Sequence, residues 1–362
     1  MRKELSDKLD AEAPLTPADL RELLLLKEEA DLQSLYEAAY RIKVKYVGKR
    51  VNLRGLIEFS NLCTKNCYYC GIRRDNTHVK RYRMTLEEIL REARWADEIK
   101  LGSVVLQSGE RSDAEFADFV ESAVKGIKEI SGGALGITLS CGEQNEETYR
   151  RWFNAGAHRY LLRIETSNPE FYRRLHPADH SYEQRKNCLA LLKKAGFMTG
   201  SGVMIGVPGQ TVDDLVSDLL FFRDQDLDMV GMGPYIVHDD TPLAKQFPDF
   251  AAHKEDQLVL ALKMIAVTRL FLKDVNIAST TALQALREDG RETGLLAGGN
   301  VIMPNITETR YRDSYQLYRG KPGLKDAPEN GMTALKKMIE SIGETIAFGE
   351  WGDSPHFRNK SR

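Results

Sequence analysis

Residues 51–76 read VNLRGLIEFSNLCTKNCYYCGIRRDN. The first ten form a β-rich run, and behind them Cys63, Cys67 and Cys70 are spaced C-x3-C-x2-C. Further on, Leu86, Ile89, Leu90, Ala93 and Ala96 recur at helical spacing. Thr85 and Glu88 open that helix as a capping box, and Met84 with Ile89 suits a hydrophobic staple across its start. Strand, cysteine loop and helix therefore make one β–α unit, and the rest of the chain repeats the pattern. β-rich runs at 51–60, 103–109, 135–141, 159–166, 201–207, 228–236, 276–282 and 300–306 alternate with amphipathic stretches. A second capping box, Thr211 with Asp214, opens the helix after the fifth run, just past a Pro208-Gly209 turn.

Repeated β–α units predict a parallel sheet, and eight is the number that closes a barrel. The expected fold class is α/β, a single (β/α)8 TIM-type barrel. A doubly wound open sheet is the competing architecture. Gly200, Gly202 and Gly206 nearly spell a dinucleotide fingerprint, but the third falls one residue late and they lie in or beside a strand. They read better as close-packing or ligand-approach glycines. Helical segments at about 16–26 and 30–46 are expected to cap the barrel's lower end. Residues 333–349 read as a closing helix and the last dozen as a frayed end. The organisation is thus an N-terminal helical cap (1–50), the barrel (51–320) and a C-terminal helical extension (321–362). No repeat or low-complexity linker separates them, so they are expected to form one domain.

Composition narrows the function classes. The chain has 362 residues, with 42% hydrophobic and 29% charged, enough apolar material for a large core. Lys+Arg 51 against Asp+Glu 53 leaves no electrostatic bias toward nucleic acid or an anionic membrane. The first twenty residues, MRKELSDKLDAEAPLTPADL, lack the apolar core of a signal peptide. No run is long enough for a membrane span. Five cysteines, three of them clustered, fit a metal-ligand set in a reducing cytoplasm better than a disulfide framework.

In a parallel barrel, chemistry lies on the loops at the C-terminal ends of the strands, which is where the three cysteines fall. A closed zinc site needs four ligands, and His78 is the nearby candidate for the fourth, giving a zinc knuckle. The other reading is a cubane iron–sulfur cluster, which normally takes four thiolates. With three, one iron keeps an open position for a small molecule.

C-x3-C-x2-C on the loop after the first barrel strand, with Tyr69 before the last cysteine, resembles the radical S-adenosylmethionine (SAM) superfamily. Longer words follow in order across residues 57–318: IEFSNLCTKNCYYCGIRRDN, KRYRMT, VLQSGE, LLRIETSNP, GVPGQT, DMVGMGP, VIMPN and YQLY. Together they resemble the HydE family of FeFe-hydrogenase maturases. Biotin synthase and methylornithine synthase are relatives with a similar barrel.

The resemblance implies one 4Fe–4S cluster on Cys63, Cys67 and Cys70, with SAM chelating the open iron. An electron from the cluster then cleaves SAM to methionine and a 5′-deoxyadenosyl radical. It also implies that Tyr69 and the Ser108-Gly109-Glu110 segment contact SAM, the latter at its ammonium group. Ser140 and Glu165 end the third and fourth strands, where ribose or amine groups can be hydrogen-bonded. Arg185 matches the arginine that receives the SAM carboxylate. Met229, Thr280, Thr281, Tyr315 and Tyr318 are implied at the cavity or its mouth. The plainer readings are a solvated turn for Glu110, a solvated side chain for Arg185 and core packing for Met229.

Arg54 and Arg163 lie on strands. Arg163 is two residues before Glu165, so alternation aims both toward one side of the sheet, the barrel interior. A buried guanidinium needs an anionic or hydrogen-bonding partner. That partner is either a carboxylate-bearing substrate, such as an amino acid or its metal complex, or an internal acid. Neither Cys141 nor Cys188 is expected to be a ligand: Cys188 reads as a small buried hydrophobe in a helical run, and Cys141 ends the third strand, close enough to the site for a minor role. Several members of the resembled family carry further cysteines after YQLY that hold a second cluster. Here that region reads RGKPGLKDAPENGMTALKKM and has none, so no second cluster is expected.

The partners implied are a small-molecule or iron-complex substrate, a low-potential electron donor and other hydrogenase maturases. Nucleic acid and membrane are not among them, and the expected location is the cytoplasm. Two alternatives stand beside this. One is a paralogue with the same machinery and another amino-acid substrate. The other is a non-catalytic iron–sulfur carrier, which would need no SAM-facing residues at several strand ends.

Overall fold

The first β-rich run folds as β1, in two pieces, Arg50–Leu53 and Gly55–Ser60, that meet at Arg54. The computed structural model describes residues 1–360, apart from the side chains of residues 251 and 252. After β1 come β2 (Ser103–Ser108), β3 (Gly136–Ser140), β4 (Arg159–Leu161), β5 (Met198–Ser201), β6 (Met229–Val230), β7 (Asn276–Ile277) and β8 (Val301–Ile302). Each pairs in parallel with the next from β1 through β7. A parallel bridge from Ala278 to Val301 carries the sheet on to β8. There β8 pairs with β1, Asn52 opposite Val301 and Leu53 opposite Ile302, which closes the barrel. The expected eight-stranded α/β barrel is the observed fold. Val104, Val105 and Leu106 of β2 are all buried, as strands covered on both faces require.

The later strands are shorter than their β-rich runs, because the backbone leaves the ladder early to form the loops above it. Met204–Ile205 and Gly233–Pro234 make a separate short parallel pair above β5 and β6. Between these segments the two chains run very close. A Cβ on Gly202 would come within 2.0 Å of the Gly231 carbonyl oxygen, so that glycine serves close packing, not nucleotide binding. Both expected capping boxes are present, at Thr85–Glu88 and Thr211–Asp214.

Two expectations are corrected at the chain ends. Three helices, not two, precede β1: Lys3–Asp10, Pro17–Leu25 and Glu29–Tyr46. The second and third lie along the barrel's flank, against helices Val212–Asp224 and Lys254–Leu272, not under its lower end. Lys263 Nζ holds them there by donating to the carbonyls of Leu24 and Leu26 at 2.6 and 3.0 Å.

The base is closed by the C-terminal segment instead. Its helix runs Pro328–Ser341, and Thr345–Ile346 (β9) then pairs beside Arg50 and Val51. Of the last dozen residues, expected to fray, 351–360 pack beneath the barrel and end in the helix Pro355–Lys360, and 361–362 lie outside the described residues. The reason is Arg159, a fully buried guanidinium on β4 that has to be satisfied. It donates to the Trp351 carbonyl at 2.7 Å and to Asp353 at 2.6 Å. One continuous apolar core runs from Leu5 through the barrel to Ile339, so the three segments of the chain share one interior.

Candidate active site

The cysteine loop leaves β1 and is held by polar contacts rather than by apolar packing. Arg81 fans its guanidinium over five carbonyls of the loop: Asn61 and Ile72 through Nη1, both at 2.8 Å, and Arg73, Arg74 and Asn76 through Nη2 at 2.6–3.2 Å. Asn61, wholly buried, donates to the Lys80 carbonyl at 2.9 Å and to the Ser314 carbonyl at 2.6 Å. Gly71 N–H donates to the Leu317 carbonyl at 3.0 Å, which ties the loop to the YQLY segment. From the other side, Asn66 N–H donates to His180 Nε2 at 2.9 Å. Nearby, His176 Nδ1 lies 2.9 Å from the Tyr172 carbonyl, so it carries the proton, and Nε2 accepts from the Tyr69 hydroxyl at 3.1 Å. Burial lowers His176 to about 3, which keeps it neutral in that role.

Thus held, Cys63, Cys67 and Cys70 line one wall of a cavity of about 340 Å3 at the C-terminal mouth of the barrel. Burial pushes all three thiols up, Cys67 to about 12, and for Cys67 and Cys70 the nearby thiolates add to the rise. A positively charged centre would be needed to draw their protons off. The Glu110 N–H donates to Cys63 Sγ at 3.3 Å. Gly109 has to be glycine, because a Cβ there would lie 2.4 Å from the Leu62 carbonyl and 2.8 Å from Cys63 Cβ.

A four-residue ion network sits beside this wall. Arg185, on the helix Tyr182–Lys194, meets Glu110 at 3.0 Å and Glu143 at 2.7 Å. Lys65 meets the same two carboxylates at 3.3 and 3.0 Å. Burial opposes the charge on Arg185, but the two carboxylates outweigh it and hold the guanidinium protonated. Ser108, Gly109, Ser140 and Tyr69 line the same cavity.

Arg163 and Glu165 line the same cavity and pair at 2.9 Å. Arg163 Nη2 also donates to the Val203 carbonyl at 2.8 Å, and its Nε is buried without a partner. Glu165 has a left-handed backbone, φ +67°, held by its N–H to the Gly202 carbonyl and its carbonyl from the Met204 N–H. Burial raises its carboxyl, and Arg163 and Arg185 oppose that rise. Thr280, Thr281, Tyr315 and Tyr318 complete the lining, and Thr280 Oγ1 is buried and unpartnered.

Arg54 and Met229 are not brought to this cavity. Arg54 Nη1 donates to Met229 Sδ at 3.0 Å and Nη2 to the Gly352 carbonyl at 3.2 Å, so both belong to the sealed base. Alternation on β1 and β6 aims them inward, but the C-terminal segment occupies the space below. Several lining residues were not anticipated, namely Lys65, His176, Gln107 and a buried pair of Glu58 with Lys321, nor was Glu143, which pairs with Lys65 and Arg185 behind the wall. Glu143 and Lys65 stand in loops, where sequence spacing carries no facing rule. Arg81 lies in KRYRMT, a word noted without a role.

The donor set discriminates between the two metal readings. Among the described residues, no three His, Cys, Asp or Glu side chains converge on one metal ion. A zinc site would need its sulfurs drawn in to bonds of about 2.3 Å. His78, the fourth ligand of that reading, is exposed and sits 2.9 Å from Asp240. A cubane instead places each thiolate on a different iron, which suits three separated thiols on one cavity wall, with no fourth ligand beside them.

A model of the radical SAM superfamily matches residues 57–222. The [FeFe] hydrogenase maturase subunit HydE of Thermotoga maritima is 46% identical over 350 residues, covering 97% of this chain and 97% of that protein. The 3-methylornithine synthase of Methanosarcina barkeri is 32% identical over 302 residues, 82% of this chain and 81% of that one. The crystal structure of a methylornithine synthase superposes with a TM-score of 0.81 at 26% identity, covering 95% and 98% of the two chains. With the three-cysteine wall, the barrel and a relative this similar along its whole length, the chain belongs to the radical SAM superfamily and, within it, to the HydE family.

Proposed function

We propose that this chain carries one 4Fe–4S cluster on Cys63, Cys67 and Cys70, binds SAM beside it and acts in FeFe-hydrogenase maturation. The observation that carries the reading is one cavity lined both by the three cysteines and by Arg163, Glu165 and Thr280. Cluster and SAM, when bound, supply one electron and a 5′-deoxyadenosyl radical.

The residues of the chain do the positioning. Ser108, Gly109 and Glu110 offer an edge of carbonyls and a carboxylate to the SAM ammonium group. Arg185, kept charged between Glu110 and Glu143, faces the SAM carboxylate, and an arginine fork suits a carboxylate. Ser140 and Glu165 receive the ribose or amine groups, and Tyr69, braced by His176, packs against the bound molecule. Beyond them, Arg163 Nε and Thr280 Oγ1 are donors left free for a substrate carboxylate, with Thr281, Tyr315 and Tyr318 around it. Arg54 and Met229 act from beneath, by holding the base of the barrel. The substrate class is a cysteine-derived molecule or an iron-bound cysteine complex, delivered by another maturase. A low-potential donor supplies the electron.

No cysteine follows Cys188, so one cluster accounts for the thiol ligands. Five free cysteines fit a reducing cytoplasm, and among the described residues no helix is long and apolar enough to cross a membrane. The deciding experiment is assembly of an apo-hydrogenase with the other maturases, with and without the reconstituted chain. Hydrogen production that depends on the chain supports the reading, and equal production without it overturns it. A second reading, an amino-acid-acting paralogue, draws on the methylornithine synthase likeness. Formation of 3-methylornithine by the reconstituted chain would favour it.

A further inference from the structure

A second cavity of about 300 Å3 lies between the barrel wall and the C-terminal segment, outside the site described above. Arg291 and Arg312 stand in its wall together with the acids Glu288, Glu292 and Asp326, and Ile306, Met332, Leu335 and Met338 give it an apolar side. Arg312 is almost fully buried, with Nε and Nη1 spent on the carbonyls of Thr307, Gly323 and Asp326. Its Nη2 has no partner. Arg291 is less engaged. Its one hydrogen bond among the described residues runs from Nη2 to Thr281 Oγ1 at 2.9 Å, and its Nε is buried and unpartnered. It makes no ion pair with any carboxylate among the described residues.

A guanidinium cannot shed its charge at ordinary pH, so shielding it from water without an anion is costly. Acids lie near both, but neither arginine makes an ion pair among the described residues, and each turns a free N–H to the cavity, where an anion can be received. A bare inorganic ion on the arginines would leave the apolar side of the cavity unfilled. We infer that this second cavity binds a carboxylate-bearing molecule of amino-acid size, its carboxylate on Arg291 and Arg312 and its apolar part on Met332, Leu335 and Met338. Leu56, Thr281 and Lys321 line both cavities, so such a ligand would lie against the wall of the reaction chamber.

The test is calorimetric titration of the anaerobically reconstituted full-length chain, saturated with SAM, using valerate and L-norleucine as probes. One equivalent of at least one probe should bind. Arg291→Met should weaken that binding tenfold or more, and so should Met338→Trp, which fills the cavity without touching an arginine. Arg163→Met, in the reaction cavity, should leave it unchanged. Equal binding of both probes would mean that the carboxylate alone is read, and binding of norleucine alone that an amino acid is. Thermal melts supply an independent readout, since removing an unpaired buried charge should leave Arg291→Met at least as stable as the parent without ligand. No binding of either probe to the parent, equal binding by Arg291→Met, or loss of binding in Arg163→Met would overturn the inference. So would an Arg291→Met variant that is less stable yet binds normally, the mark of a purely structural arginine.

Discussion

Arg163 and Glu165 pair at 2.9 Å inside the reaction cavity, although only one residue separates them in sequence. The pair joins the two roles open to Arg163, because the internal acid is real and the guanidinium still has a free Nε. Arg163 can hold Glu165 with one arm and a substrate carboxylate with another. The left-handed backbone at Glu165 is what turns its side chain toward the arginine. A strained non-glycine position of this kind persists only where surrounding contacts hold it.

Replacing Arg163 by lysine is therefore expected to keep the fold and SAM cleavage but to lose product formation at least tenfold. An ammonium is a point charge and cannot serve Val203, Glu165 and a substrate carboxylate together, as a fork does. The measurement is the ratio of substrate product to 5′-deoxyadenosine. A folded variant with the parent's ratio would remove Arg163 from substrate binding.

Arg81→Ala should loosen the cysteine loop without unfolding the barrel. It strands five carbonyls, each worth about 1–3 kcal/mol if buried and unpaired, toward the low end where the loop meets solvent. Iron retained after reconstitution and gel filtration should fall below half of the parent's, with far-ultraviolet circular dichroism unchanged. Full iron retention would contradict the role.

Gly109→Ala should disturb the cluster site from the opposite side. The added methyl meets the Leu62 carbonyl and Cys63 Cβ at distances that force the backbone to move. Overpacking of this sort costs roughly 1–3 kcal/mol. A lowered melting temperature with reduced iron content is expected, and a variant indistinguishable from the parent in both would show that the loop yields freely.

The C-terminal plug brings a pH dependence. His356 lies 2.9 Å from both Asp274 and Asp226, with Lys360 beside Asp226 at 2.7 Å. Its hydrogen bond to Asp274, more than any other contact, raises its pKa; burial and Lys360 oppose. A raised histidine contributes stability that is complete below its unfolded value of about 6.5 and lost as pH rises through the folded value. The melting-temperature gap between parent and His356→Gln should accordingly be larger at pH 6 than at pH 9. A gap that grows with pH would contradict the sign.

Sequence periodicity made the barrel legible because each parallel strand is buried on both faces and each helix opens with its own cap. Strand lengths were less legible, since β6, β7 and β8 are two-residue ladders whose hydrophobic runs continue into buried loops. The plug was missed because Trp351–Asp353 is short and polar-flanked, and only the buried Arg159 on a distant strand explains why it docks. At the site, the three cysteines were legible from spacing; alternation put Arg163 and Glu165 on one side, but both lie past the end of β4, and the left-handed backbone at Glu165 is what brings them together. Arg54 follows the same alternation but faces the base, because a strand position gives the side of the sheet and not the height along the barrel axis. Lys65 and Glu143 were illegible, their pairing being set by loops that only the closed barrel brings together.

The central claim is that three cysteines hold one cluster whose open iron takes SAM. Its most direct test is anaerobic reconstitution of the chain and of a Cys63→Ala/Cys67→Ala/Cys70→Ala variant, followed by reduction with SAM present. The chain should hold about four irons, the content of one cubane, and form 5′-deoxyadenosine, while the variant does neither. A variant that retains the cluster or cleaves SAM, or a parent that binds tetrahedral zinc in its place, would contradict it.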